Sequence, residues 1–115
     1  IETEKPKRFK PGQLVKIKLK GLTYTQDGFA MVQENSKGVF IYERIELESF
    51  PSCDDYKGEP TKVFEDDLAV VLRFVGRPMS IGIDPRWFEY DVYEIFIKGA
   101  VRQIFRQNIV GDYDT

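Results

Sequence analysis

Apolar and polar positions alternate most cleanly near the start of the chain. In FKPGQLVKIKLKG, Val15, Ile17 and Leu19 alternate with Lys16, Lys18 and Lys20. Successive side chains of a strand point to opposite faces, so this period of two predicts a strand with one covered and one wet face. Pro11-Gly12 predicts a turn before it, and Gly21 ends it. In FAMVQENSKGVFIYERIEL, two apolar runs flank Asn35-Ser36-Lys37-Gly38. That pattern predicts a hairpin of Phe29–Gln33 with Val39–Ile45. Residues 49–67 carry Pro51, Gly58, Pro60 and many acids without a period, and read as a long loop. Leu68–Gly76 is a continuous apolar run of β-branched character, as expected of a strand buried on both faces. A second loop follows, with Pro78, Gly82 and Pro85.

The aromatic-rich stretch WFEYDVYEIFIKGAVRQIF runs from Trp87 to Phe105. Phe88, Tyr90 and Val92 share one face, and after Val92 the apolar set shifts to Tyr93, Ile95 and Ile97. Such a change of phase predicts a bent or bulged strand. Lys98-Gly99 predicts a tight hairpin turn. Val101, Ile104, Phe105 and Ile109 fit helical spacing as well as strand spacing. No Ser, Thr, Asp or Asn stands before them to cap a helix. A strand over Ala100–Arg106 followed by one short turn is therefore the favoured reading. The expected core holds Val15, Ile17, Val70, Leu72 and Val92 together.

At 115 residues the chain is long enough for one domain with a real core. It is 42% apolar and 31% charged with a net charge of −2, a composition that argues against disorder. The longest apolar run, Leu68–Leu72, is too short to span a membrane. The opening IETEKPKRFK has charges without an apolar stretch after them, so no secretory leader is expected. Cys53 is the only cysteine, which excludes an internal disulfide and suits a reducing compartment. There is no histidine, which removes imidazole bases, Cys-His and Ser-His dyads and zinc sites of the usual type. The chain is accordingly read as not an enzyme, with no cofactor and no metal.

The segments FKPGQLVKIK, LAVVLRFVG and WFEYDVYEIFIKGAVRQIFRQNIV together resemble SH3-like (KOW-type) small β-barrels. The resemblance covers Phe9–Leu19 and Leu68–Val110, and extends to short proteins of tailed bacteriophages. It implies an all-β, SH3-like barrel over residues 11–110, elaborated by an insertion at 21–67 that brings the extra hairpin and the acidic loop. Residues 1–10 would form a basic N-terminal arm and 111–115 a tail. It further implies a viral protein found in the cytoplasm of an infected host cell or in the virion. The function expected is non-enzymatic: binding a protein partner or further copies of itself, as a virion component or assembly accessory. The alternative is a nucleic-acid-binding barrel. A third idea is a modulator of a host or viral enzyme. Fold alone does not choose among them.

Candidate sites follow from residue type. Phe88, Tyr90, Tyr93 and Phe96 could line a groove, but their shared faces suit core filling better. Trp87 sits at a loop–strand junction and is a candidate protein contact. Phe50, Tyr56 and Phe64 are spaced through the acidic loop and would anchor a docking arm onto the chain's own barrel or a neighbour. Lys16, Lys18 and Lys20 share one face of one strand and could track phosphates. The plainer reading is a solvated face or an edge strand guarded by lysines. Residues 1–20 hold seven basic residues against two acidic, and residues 43–67 nine acidic against three basic. A molecule so polarised could bind its copies head to tail; the plainer reading is that the two blocks simply keep it in solution. The acids at 54–55 and 65–67 lack the spacing of a calcium loop, and Cys53 lacks a base.

Overall fold

The computed structural model describes residues 8–19, 22–25, 28–31, 38–48, 56–82 and 85–111. The chain is all-β, with every paired strand antiparallel. The strands are β1 (Leu14–Ile17), β2 (Leu22–Thr25), β3 (Gly28–Met31), β4 (Val39–Ile41), β5 (Arg44–Ile45) and β6 (Tyr56–Lys57). They continue as β7 (Thr61–Val63), β8 (Leu68–Gly76), β9 (Val92–Ile97), β10 (Ala100–Phe105) and β11 (Ile109–Gly111). Short 3-10 turns occupy Met79–Ile81, Pro85–Tyr90 and Arg106–Asn108.

The main sheet has five strands in the order β10-β9-β8-β1-β11. β8, β9 and β10 form a meander. The β9–β10 turn is Lys98-Gly99, both at positive φ (52° and 77°), the geometry of a two-residue hairpin. β10 ends in the 3-10 turn of Arg106–Asn108, as the missing helix cap led one to expect, and β11 returns to the far side of β1. Asn108 fastens that return. Its side-chain amide donates to the Lys18 carbonyl (2.9 Å), and the Lys18 N–H donates to the Asn108 carbonyl (2.8 Å). No ladder joins β10 to β11 among the described residues.

Segments between β1 and β8 pair among themselves: β2 with β3, β4 with β7, and β5 with β6. They reach the main sheet along β10. There the Gln103 N–H donates to the Tyr42 carbonyl (2.9 Å), and the Gln103 side chain accepts from the Ile45 N–H (2.8 Å). Thr61 accepts a hydrogen bond from Arg102 (2.9 Å). β4 and β7 thus lay Val39, Ile41 and Val63 over the inner face of the sheet, against Val15, Ile17, Val71, Tyr93 and Ile95. A smaller cluster of Ile45, Val92 and Phe105 lies beside it, with Tyr56, Tyr90 and Leu47 packed against it. Each fully covered aliphatic side chain here contributes about 1.5–3 kcal/mol.

Several expectations are corrected. The expected pairing of Phe29–Gln33 with Val39–Ile45 is not seen among the described residues: β3 pairs with β2, and Val39–Ile41 pairs with Thr61–Val63. Thr25 stands opposite Gly28, so only two residues separate the paired positions, a hairpin spacing overlooked in the sequence. Residues 49–67 are not one loop, because β6 and β7 lie in their second half. β8 is not buried on both faces: Ala69 and Val71 point inward, while Leu68 and Leu72 are exposed and Val70 is half-buried. The core is therefore built on Val71 rather than Val70 and Leu72, and Val92 belongs to the smaller cluster. Phe88 and Tyr90 lie in a 3-10 segment kinked at Trp87, not in a strand. The change of apolar phase after Val92 marks the junction between that segment and β9. The pairing irregularities fall instead between β8 and β9, at Val71/Arg73 and Phe74/Gly76. Finally, β1 is not an edge strand, since β8 and β11 flank it.

Candidate functional site

The register brings exposed apolar side chains together on the outer face of the main sheet. Val101 stands opposite Phe96, Phe96 opposite Val70, and Val70 opposite Leu14. Directly opposed residues on neighbouring strands share a face, so these four make an apolar row across β10, β9, β8 and β1. A second row, Leu68–Lys16–Val110, crosses β8, β1 and β11. Leu72 extends the face along β8. Among the described residues nine large hydrophobic side chains are exposed, and six of them are on this face: Leu14, Leu68, Leu72, Phe96, Val101 and Val110. Leu68 keeps 57% of its surface in water and Phe96 46%. Monomeric proteins rarely expose a contiguous apolar patch beyond a few hundred Å2, and larger ones mark interaction sites.

Lys16 is the one cation inside this face, and it makes no ion pair among the described residues. At the margin Arg73 and Glu94 neutralise one another (3.2 Å). Lys18 is held elsewhere: its ammonium lies 3.2 Å from Glu65. Glu65 also accepts from the Leu19 N–H (2.7 Å). That backbone donor, aided by Lys18, holds the Glu65 carboxyl below its ordinary value. Lys20 lies outside the described residues.

The aromatic candidates scatter. Tyr56 is half-buried on the smaller core cluster, its ring 5.7 Å from that of Tyr42. Trp87 is 47% exposed and leans on Tyr90 at 6.2 Å, which in turn packs edge-on against Phe105. Phe64 is 43% exposed beside the β9–β10 turn, with Lys98 over its ring at 4.7 Å and Lys62 at 5.8 Å. Phe50 lies outside the described residues. Tyr56 and Trp87 therefore border one cluster, and Phe64 stands apart from it. Phe96, for which the sequence favours core filling, is exposed on the outer face, and the other apolar residues of that face were not singled out from the sequence as a site. The available signal was that both alternate sets of LAVVL are apolar while only one can face a single core.

A cleft of about 470 Å3 opens where β8 ends, lined by Arg8, Phe74, Arg77, Pro78, Met79, Gly82 and Asp91. Its floor is the largely buried ion pair of Arg77 with Asp91 (2.7 Å), and Arg77 also donates to the Gly82 carbonyl. Arg8 stacks over Phe74 at 4.2 Å. Two guanidinium groups against one carboxylate leave the cleft net positive. Beside it, Tyr93 is buried in the core, and burial pushes its phenol above the ordinary tyrosine value against the opposing pull of Phe9 and Arg106. Among the described residues no group of three potential ligands could hold a metal ion, and no helix is long and apolar enough to cross a membrane. No family model, curated protein or solved structure matches the chain.

Proposed function

We propose that this protein is a non-enzymatic protein-binding module, an SH3-like barrel elaborated by inserted strands that serves as a structural or assembly component. The observation that carries the reading is the apolar outer face centred on Phe96, Val70 and Leu14. An open sheet face of this kind is stabilised when another protein covers it, because each apolar side chain removed from water contributes roughly 25 cal/mol per Å2. The barrel reading is supported by the strand order and by the single 3-10 turn between β10 and β11. The phage setting rests on the resemblance of the Trp87–Val110 segment alone.

The nucleic-acid reading gains no support from the geometry. A phosphate track needs a row of free cations. Lys18 is paired with Glu65, and Lys16 stands between Leu68 and Val110.

The test compares wild type with Phe96→Asp for mass in solution and for co-purifying polypeptides. The wild type is expected to carry a bound protein that the variant loses while keeping its fold. A wild type that stays bare, or a bound protein indifferent to Phe96→Asp, overturns the proposal.

A further inference from the structure

We infer that the outer sheet face takes an acidic protein segment, one whose aliphatic side chains cover the Val101–Phe96–Val70–Leu14 row while a carboxylate meets Lys16. This deepens the protein-binding reading and rests on it. The reasoning starts from what covering the face does to Lys16. Its backbone lies between β8 and β11, its cross-strand neighbours are Leu68 and Val110, and it makes no ion pair among the described residues. A partner that removed water from this face would strip the ammonium of hydration. An unpaired buried charge costs several kcal/mol, so a tight partner must bring an anion to that spot.

A second copy is a poor occupant. It would present the same face, and the one carboxylate at its margin among the described residues, Glu94, is already held by Arg73 and contacted by Gln103. Stacking two such faces sets cation against cation. An anionic lipid surface is also a poor fit. One lysine near a bilayer contributes about 1 kcal/mol, and stable attachment takes a polybasic cluster. The chain as a whole is instead net negative, at −2. A protein segment with aliphatic residues around an Asp or Glu satisfies both the apolar rows and the lone cation.

The experiment selects a display library of random peptides on the immobilised full chain, with counter-selection on Phe96→Asp. Enriched peptides are then titrated against wild type, Lys16→Gln, Lys16→Glu and Phe96→Asp by fluorescence anisotropy. Leu68→Glu serves as a second outer-face variant should Phe96→Asp loosen β9. Expected are peptides that combine aliphatic residues with an acid, lose about tenfold in affinity to Lys16→Gln and more to Lys16→Glu, and lose binding to both outer-face variants. Replacing the peptide's acid by Lys should restore affinity for Lys16→Glu. Enriched peptides without an acid, or with equal affinity for Lys16→Glu, overturn the inference and leave the protein-binding reading standing. No peptide sensitive to either outer-face variant overturns both. Sedimentation of the chain alone and flotation with phosphatidylserine vesicles cover the other occupants. A dimer, or vesicle binding, that Phe96→Asp abolishes replaces the acidic segment by a second copy or a membrane.

Discussion

The two faces of the main sheet are made of the same kinds of residue and meet opposite fates. Val15, Ile17, Ala69, Val71, Ile95 and Ile97 point inward and are covered by β4, β7 and the ring of Phe9. Leu14, Leu68, Leu72, Phe96 and Val101 point outward from the same strands and stay in water. Hydropathy does not distinguish the sets; Leu68 and Phe96 are more apolar than Ala69. The difference lies in what packs on each face. The insertion after β1 folds onto the inner side, tied to β10 through Tyr42 and Gln103. On the other face the inserted Ile45, Leu47 and Tyr56 cover Val92 and Phe105 at one end of β9 and β10, and among the described residues nothing covers the Val101–Phe96–Val70–Leu14 row. An apolar position therefore reports a preference for burial, and only the packing says whether the chain satisfies that preference itself.

Substitutions that exchange the two faces should break this contrast most visibly. Val71→Asp places an unpaired carboxylate at a site with no exposed surface. It should cost several kcal/mol, of order half the stability of a domain this size, and abolish cooperative unfolding by circular dichroism. The same change at Leu72, its outward neighbour, should leave a cooperative transition.

Truncation gives a smaller, graded version. Ile95→Ala should lower stability by about 2–4 kcal/mol in urea unfolding, from lost transfer energy and the cavity left behind. Leu68→Ala should stay within about 0.5 kcal/mol of wild type. Equal losses at the two positions would mean the outer face is covered within the folded chain.

Titration sharpens the inner face further. The Tyr93 phenol is raised in the folded state by burial, so the unfolded chain releases its proton first as pH rises. Stability should therefore fall with increasing pH from about the ordinary tyrosine value of 10.0 upward, and Tyr93→Phe should flatten that part of the curve.

The smallest effect belongs to Glu65, on the wet side of the β1 terminus. Its carboxyl is depressed in the folded state, first by the Leu19 N–H and then by Lys18. Its contribution is present above the ordinary carboxylate range and is lost as pH falls through the depressed value. Glu65→Gln should remove this part of the acid dependence with little change at neutral pH, since exposed pairs contribute 0–1 kcal/mol.

Local chemistry was legible where a short stretch decides the outcome alone. The lysine alternation places β1, Lys98-Gly99 turns the β9–β10 hairpin, and the absent helix cap leaves Ala100–Phe105 extended. Tyr93, Ile95 and Ile97 face the core as their spacing requires. Pairing between distant segments was not legible. Val39–Ile41 chose Thr61–Val63 over its nearer neighbour, because hydrogen-bonding partners in a sheet are set by which apolar faces close over one core. The charge blocks show the same limit. In sequence the basic residues 1–20 and the acidic residues 43–67 read as two poles. Folding sets parts of them side by side, with Lys18 against Glu65 and Asp67 against Lys98, so at that corner the charges cancel within one chain. The sequence by itself determined β1, β9, β10, the Lys98-Gly99 turn and the composition of both faces, since those depend on neighbours within a few residues. The tertiary structure decided which face is covered, which lysine is left alone on it and which charges meet, since those depend on contacts between segments far apart in the chain.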